Sequence, residues 1–190
     1  MKPDKTRELF KLLSVCLSYP DEALAAAAPE LREAAAGMKK RHLKKRFSAF
    51  VTHLSTAPLL SQQEHYTAVF DMRPEASLNL TYHLMGDREE RGRALAGLLA
   101  LYQRSGFEPA VNELPDFLPL MLEFLSVDPE AAKDPLVSRC LGAVPILLGR
   151  IAESPSIYAG LFEILVQMLP ETAGEGHSNI SDGLSAAVEE

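Results

Sequence analysis

The residues of this chain that could do chemistry are concentrated between positions 66 and 124, where acids and aromatic rings are interleaved: Tyr66, Phe70, Asp71, Arg73, Tyr82, His83 and Asp87, then Glu113, Asp116, Phe117, Glu123 and Phe124. Such a mixture suits the capture of a basic amphipathic peptide, whose apolar face fills a groove while its Lys or Arg side chains meet carboxylates. The candidate peptide-binding residues in this set are Tyr66, Phe70, Asp71, Tyr82, His83, Glu113, Asp116, Phe117 and Glu123. Taken singly, several have simpler roles. Asp87 reads as a helix N-cap, Phe124 as a core residue and His83 as a hydrogen-bonded helix histidine. Glu113 and Asp116 sit in the connection Glu113-Leu114-Pro115-Asp116, where a loop acid either caps the next helix or faces a ligand.

Bond-making chemistry finds no support in the residue pattern. There is no G-x-x-x-x-G-K-[ST] phosphate loop, no G-x-G-x-x-G fingerprint and no G-x-S-x-G nucleophile turn. None of the five histidines follows a Glu by three positions, so the Glu-x-x-His pairs of di-iron bundles are missing. His42 and His53 share one predicted helix, but no acid or thiol joins them at helical spacing to complete a metal site. Cys16 and Cys140 lie outside any C-x-x-C or Cys/His cluster and read as buried thiols. The chain is expected to be non-catalytic and to hold no cofactor stably.

With 19 basic against 26 acidic residues the net charge is −7, which supplies no field to draw in phosphates. The basic run Lys39, Lys40, Arg41, Lys44, Lys45 and Arg46 reads as a solvated helix face, and a nucleic-acid-binding role for it is the weaker alternative. The N-terminal sequence carries acids and starts an amphipathic pattern, unlike a secretory leader. No segment has the roughly 20 apolar residues that span a bilayer. The expectation is a cytoplasmic protein without membrane insertion.

The elements that must position these residues are helical. A length of 190 residues, a hydrophobic fraction of 47% and the absence of Trp point to one all-α domain with a core of Leu, Ala and Val. Helical spacing covers 6–19, the Ala-rich stretch 22–36 in one or two pieces, 39–54, a segment opened by a capping box at Ser61-Gln62-Gln63-Glu64 and ending near Asp71, and a segment from Pro74 broken at Gly86. Asp87 and Glu90 start a helix that ends at Ser105-Gly106. Further helices are expected over 117–125, from Asp134-Pro135 through Ile151 with a kink at Pro145, and from Ser154-Pro155 to Pro170. The total is a bundle of about eight or nine helices over residues 1–170. The acidic, Gly/Ser-rich residues 171–190 are expected to be a disordered tail.

One extended pattern is more specific than any short motif. Tyr66, Phe70-Asp71, Ser77-Leu78, Leu80-Thr81-Tyr82-His83-Leu84, Gly86-Asp87, Arg91-Gly92, Leu101-Tyr102 and Gly106-Phe107 are followed by E-L-P-D-F-L-P-L-M-L-E-F from Glu113 to Phe124. In this order they resemble the central signature of the nitrate reductase assembly chaperones, the NarJ branch of the TorD/DmsD-like molybdoenzyme chaperones. The resemblance implies the TorD-like helical fold and binding of the N-terminal peptide of a molybdoenzyme catalytic subunit, most simply respiratory nitrate reductase. It also implies that the apoenzyme is held until its molybdopterin guanine dinucleotide, handled by the client, is inserted. Clients such as selenate, chlorate or sulfur-compound enzymes are the alternative. The Pro-x-Asp-His-like loop of related signal-binding chaperones aligns with Pro115-Asp116-Phe117, which adds Pro115 to the candidate site. Phe117 stands where the histidine would be, so a role for that imidazole does not carry over.

Overall fold

Thirteen prolines and eleven glycines cut this chain into short helices. The computed structural model describes residues 3–85, 89–109, 113–153 and 155–169. They form α1 (Pro3–Cys16), α2 (Glu22–Ala26), α3 (Ala28–Ala36), α4 (Arg41–Thr56), α5 (Leu59–Tyr66), α6 (Leu80–Met85), α7 (Glu89–Arg104), α8 (Leu118–Val127), α9 (Pro135–Leu141), α10 (Val144–Ala152) and α11 (Ala159–Met168). A π-helical turn at Thr67–Asp71 extends α5, and 3-10 turns occupy Pro74–Ala76 and Pro129–Lys133. The expected all-α single domain is observed. Among the described residues the extended pairing is one isolated antiparallel bridge, Asn79 with Phe117.

Helix α8 is apolar around most of its circumference, with Glu123 and Ser126 its polar residues, which requires a central position. Seven of its ten residues are buried. Its main partner is α1, which directs Phe10, Leu13 and Cys16 inward. Polar contacts fix the register of this pair: Ser14 Oγ donates to the Pro119 carbonyl at 2.8 Å and Lys11 Nζ meets Glu123 Oε1 at 2.5 Å. The Arg7 guanidinium donates to the Val127 carbonyl, satisfying an acceptor that the last turn of α8 leaves free. On the other side, Leu43, Phe47, Phe50, Val51 and Leu54 form the buried face of α4, which packs on α3 and α11. Gly160 allows the α4–α11 approach, since a Cβ there would lie 2.8 Å from Arg46 Cβ.

Several boundaries follow from single residues. Asp21 caps α2 by accepting from Leu24 N at 2.7 Å, and Asp134 caps α9 through Leu136 N at 2.9 Å. Helix α7 ends as expected at Ser105-Gly106: Gly106 takes φ +67° and Phe107 N returns to the Tyr102 carbonyl at 2.9 Å. The stretch read as one helix kinked at Pro145 is two helices, and α9 stops at Leu141. That is the residue whose carbonyl a proline four positions later would crowd. Pro135–Ala152 is the longest strongly apolar helical stretch among the described residues, at 18 residues. Val137, Cys140, Leu141, Val144, Leu147 and Ile151 of this stretch are in the core.

Three expectations are corrected. The Ser61–Glu64 capping box does not form: α5 starts two residues earlier, behind Pro58, and Ser61 lies within it. Gln62 turns inward instead and donates to the Leu54 and Ala57 carbonyls at 3.1 and 2.9 Å, closing the end of α4. The helix expected from Pro74 is only a 3-10 turn, because residues 77–79 straighten to pair with the loop before α8. The final helix begins at Ala159, after a turn in which Ser156 Oγ accepts from Tyr158 N. Gly86, Asp87, Ser154, Pro170 and residues 171–190, for which the sequence carries expectations, lie outside the described residues.

Because α8 is surrounded, truncating it leaves a cavity that cannot collapse into solvent. Leu122→Ala, at a position with 0% exposure, is expected to lower the unfolding free energy by about 3 kcal/mol. Urea denaturation monitored by helical circular dichroism measures this directly.

Candidate functional site

The site is organised around Asp116, whose side chain is 0% exposed. A buried carboxylate must be fully hydrogen-bonded to be tolerated, and this one is. Oδ2 accepts from Thr81 N at 3.0 Å and Thr81 Oγ1 at 2.5 Å, while Oδ1 accepts from Asn79 Nδ2 at 3.2 Å. Arg91 brings a cation to 3.9 Å of Oδ2 and donates from Nε to Thr81 Oγ1 at 3.1 Å. Asp116 thus caps a helix, as a loop acid can. The helix is α6, 35 residues earlier in the chain, and not the following α8.

The backbone reinforces the same junction. Leu80 N donates to the Asp116 carbonyl at 3.1 Å and Leu118 N to the Leu78 carbonyl at 2.9 Å. Tyr102, fully buried on α7, donates its hydroxyl to the Pro115 carbonyl at 2.6 Å. His83 Nε2 donates to the Ser77 carbonyl at 2.6 Å, confirming the hydrogen-bonded role read from the sequence. Together these bonds hold residues 77–83 and the loop before α8 as one unit.

An open cleft of about 400 Å³ lies against this unit, lined by Phe70, Asp71, Pro74, Ser77 and Tyr82. The π-helical turn explains how two of these residues reach it. Met72 N bonds to the Thr67 carbonyl at 2.9 Å, five residues back, and the widened turn presents Phe70 and Asp71 together. Behind Phe70 the wall is aromatic, with Tyr66 and Tyr158 both at ring-centroid distances of 4.9 Å from it. Tyr66 is itself tethered by its hydroxyl to the Leu17 carbonyl at 3.1 Å. Met72, 74% exposed, and Tyr82, 37% exposed, offer apolar surface to a partner. Burial first, then Asp71, Tyr158 and Glu113, push the Tyr66 phenol above its ordinary range.

The structure therefore divides the sequence-predicted set. Phe70, Asp71 and Tyr82 meet at the cleft, with Tyr66 and His83 supporting them. Pro115, Asp116 and Phe117 form the bridge that fixes α6, and Glu113 is exposed at the start of that loop. Glu123 is engaged elsewhere, paired with Lys11 across α1 and α8. Pro74 and Ser77 of the cleft, and Asn79, Thr81 and Arg91 of the junction, were absent from the candidate set. The signal for Ser77 and Thr81 lay in the extended pattern itself, which contains both.

A family model described as "Nitrate reductase delta subunit" matches residues 19–143. Among characterised proteins, a Bacillus subtilis (strain 168) protein named probable nitrate reductase molybdenum cofactor assembly chaperone NarJ is 34% identical over 160 residues, covering 84% of this chain and 87% of its own. The nitrate reductase molybdenum cofactor assembly chaperone NarJ of Escherichia coli (strain K12) is 33% identical over 159 residues, covering 83% of this chain and 67% of its own. A crystal structure of a redox enzyme maturation protein from Archaeoglobus fulgidus superposes with a TM-score of 0.63 at 24% identity, covering 86% of this chain and 93% of the other, a likeness of fold.

The junction chemistry predicts an asymmetric mutational response. Asp116→Ala strands the Thr81 amide and hydroxyl in the interior and is expected to cost about 3 kcal/mol, whereas Asp116→Asn keeps an acceptor and costs less. Chemical denaturation of the two variants beside the parent protein checks the order.

Proposed function

Because the chain belongs to the nitrate reductase delta subunit family, whose compared members are assembly chaperones and not enzymes, we propose that it captures the N-terminal peptide of a molybdoenzyme catalytic subunit in the Phe70–Asp71–Tyr82 cleft. The client is a nitrate reductase, the enzyme in the names of its relatives, and most simply a respiratory one. The chaperone holds the apoenzyme while the molybdenum cofactor, the client's cargo, is inserted, and then leaves. The setting is the cytoplasm, where buried unbonded thiols such as Cys16 and Cys140 are ordinary.

The observation that carries this reading is the cleft: an open apolar floor with one exposed carboxylate at its edge. Phe70, Pro74 and the Tyr82 ring accept apolar side chains, and Asp71 meets a Lys or Arg that follows them at helical spacing. The Tyr82 face adds a cation–π contact to the same cation. Affinity comes from the apolar anchors, and the exposed carboxylates of Asp71 and Glu113 speed association and give it salt dependence. Asp116 acts from behind, by holding α6 and therefore Tyr82 at the correct height. Capture involves no bond chemistry and is reversible.

Calorimetric titration with a synthetic peptide from the client's N-terminus tests the site. Asp71→Asn and Tyr82→Ala are each expected to weaken binding about tenfold, the equivalent of about 1.4 kcal/mol. Glu123→Ala, which only opens the Lys11 pair, is expected to leave affinity within about twofold. Equal loss in all three variants would move the site off the cleft.

A further inference from the structure

The sequence pairs His42 with His53 on one helix, but the fold gives His53 a different neighbour. His53 on α4 and His65 on α5 have ring centroids 6.2 Å apart, and the His65 ring stacks on Tyr158 at 5.6 Å with an interplanar angle of 9°. The Nε2 atoms of both histidines are buried, and neither has a hydrogen-bond partner among the described residues. A buried ring nitrogen without an acceptor is acceptable on a neutral imidazole; protonation turns it into a buried cationic donor with nothing to donate to. Two such nitrogens in adjacent rings make the second proton harder to accept than the first.

Among the described residues, burial and His53 are the causes that act on the His65 imidazole, and both oppose its charge. On α4 the nearest charged side chain toward the N-terminus is Arg46, about 10 Å along the axis, and it is paired with Glu163 of α11. Arg32 reaches α4 at Ser55, and a cation there opposes protonation further. On α5 the remaining acid is Glu64, which is exposed. The third packing group is Tyr158, whose phenol burial pushes above its ordinary range and keeps neutral. In the same sense, burial and then the neighbouring His53 hold the His65 imidazole below its ordinary range.

What gives this pair a consequence is its position. Tyr158 is stacked on His65 on one side and lies 4.9 Å from Phe70 on the other, and Phe70 lines the cleft. Helix α5 also runs directly into the π-helical turn that carries Phe70 and Asp71. We propose that His65, set between the ring of His53 and that of Tyr158, is a proton-sensitive latch that holds the α4–α5 corner and the aromatic wall of the cleft closed while its ring is neutral, and releases them when it is protonated. The coupling of the latch to peptide release rests on the function proposed above; the latch itself does not. The sign follows from linkage. An imidazole whose folded value is depressed binds more protons when the corner is open, so the closed state loses stability as pH falls through the ordinary histidine range.

The test uses the full chain, with histidine Cε1–H resonances followed by NMR from pH 7.5 to 5 and amide exchange of residues 59–71 measured at both ends. His65 is expected to titrate below a free histidine. Exchange of the 59–71 amides, corrected for the intrinsic pH effect, is expected to rise at the acid end. In His53→Leu/His65→Phe, which keeps a ring against Tyr158, the acid-induced rise should disappear. Should that double variant fold poorly, the wild-type resonances decide alone: ordinary titration of His65 overturns the latch. An exchange rise that persists in the double variant overturns it as well. Peptide titration at both pH values separates the two claims. Weaker binding at acid pH in the parent but not in the variant supports the coupling, and equal affinity at both pH values while the corner opens refutes it. Absence of peptide binding at any pH defeats the proposed function and leaves the latch to stand or fall on exchange.

Discussion

A buried carboxylate without partners is among the most costly groups a protein can hold, and the arrangement around the cleft follows from satisfying one of them. Asp116 is enclosed, so Thr81 and Asn79 must come to it, and Arg91 must lie close enough to balance its charge. Those requirements set where α6 begins, keep residues 77–79 extended against the loop before α8, and fix the height at which Tyr82 leaves the helix. The Tyr102 hydroxyl on the Pro115 carbonyl ties the same loop to α7. Three segments distant in sequence thus share one electrostatic anchor, and the cleft is built on the outside of it.

The division of labour among the acids is a consequence of depth. Asp116 is too enclosed to touch a partner and acts by position; Asp71 is exposed at the cleft; Glu123 is spent on Lys11 at the α1–α8 contact. The basic start of α4 is partitioned in the same way. Arg46 pairs with Glu163, Lys40 bonds to Gln167, and Lys44 donates to the Ala36 carbonyl at the end of α3. Much of that cationic run is absorbed in holding α4 to α3 and α11, which fits a solvated structural face better than a phosphate-binding one.

What the sequence made legible was what periodicity and local caps encode. The apolar faces of α1, α4, α7, α8 and α11, the cap at Asp134, and the glycine stop at Gly106 are all local signals. The composition of the cleft was also readable, because Phe70, Asp71 and Tyr82 belong to one dense run of acids and rings. What escaped was contact between distant segments. Asp116 has a partner 35 residues away and His53 one on the next helix, and no spacing rule announces either. The misread at Ser61 has a related cause. The motif Ser-Gln-Gln-Glu satisfies a local capping rule, but Pro58 had already begun the helix, and Gln62 was needed to close the end of α4. The shortening of the helix after Pro74 reflects a tertiary demand that overrides propensity, since residues 77–79 are recruited to the bridge with Phe117.

The central claim is that a preformed cleft on the Asp116-anchored unit receives the client peptide without rearranging the anchor. Backbone chemical-shift mapping of the isotope-labelled full chain, titrated with the client's N-terminal peptide, tests it most directly. The account predicts that the largest shifts fall on residues 70–82, with the Thr81 amide still hydrogen-bonded to Asp116 at saturation. Shifts centred elsewhere, such as on the basic face of α4, or loss of the Thr81–Asp116 bond on binding, would contradict it.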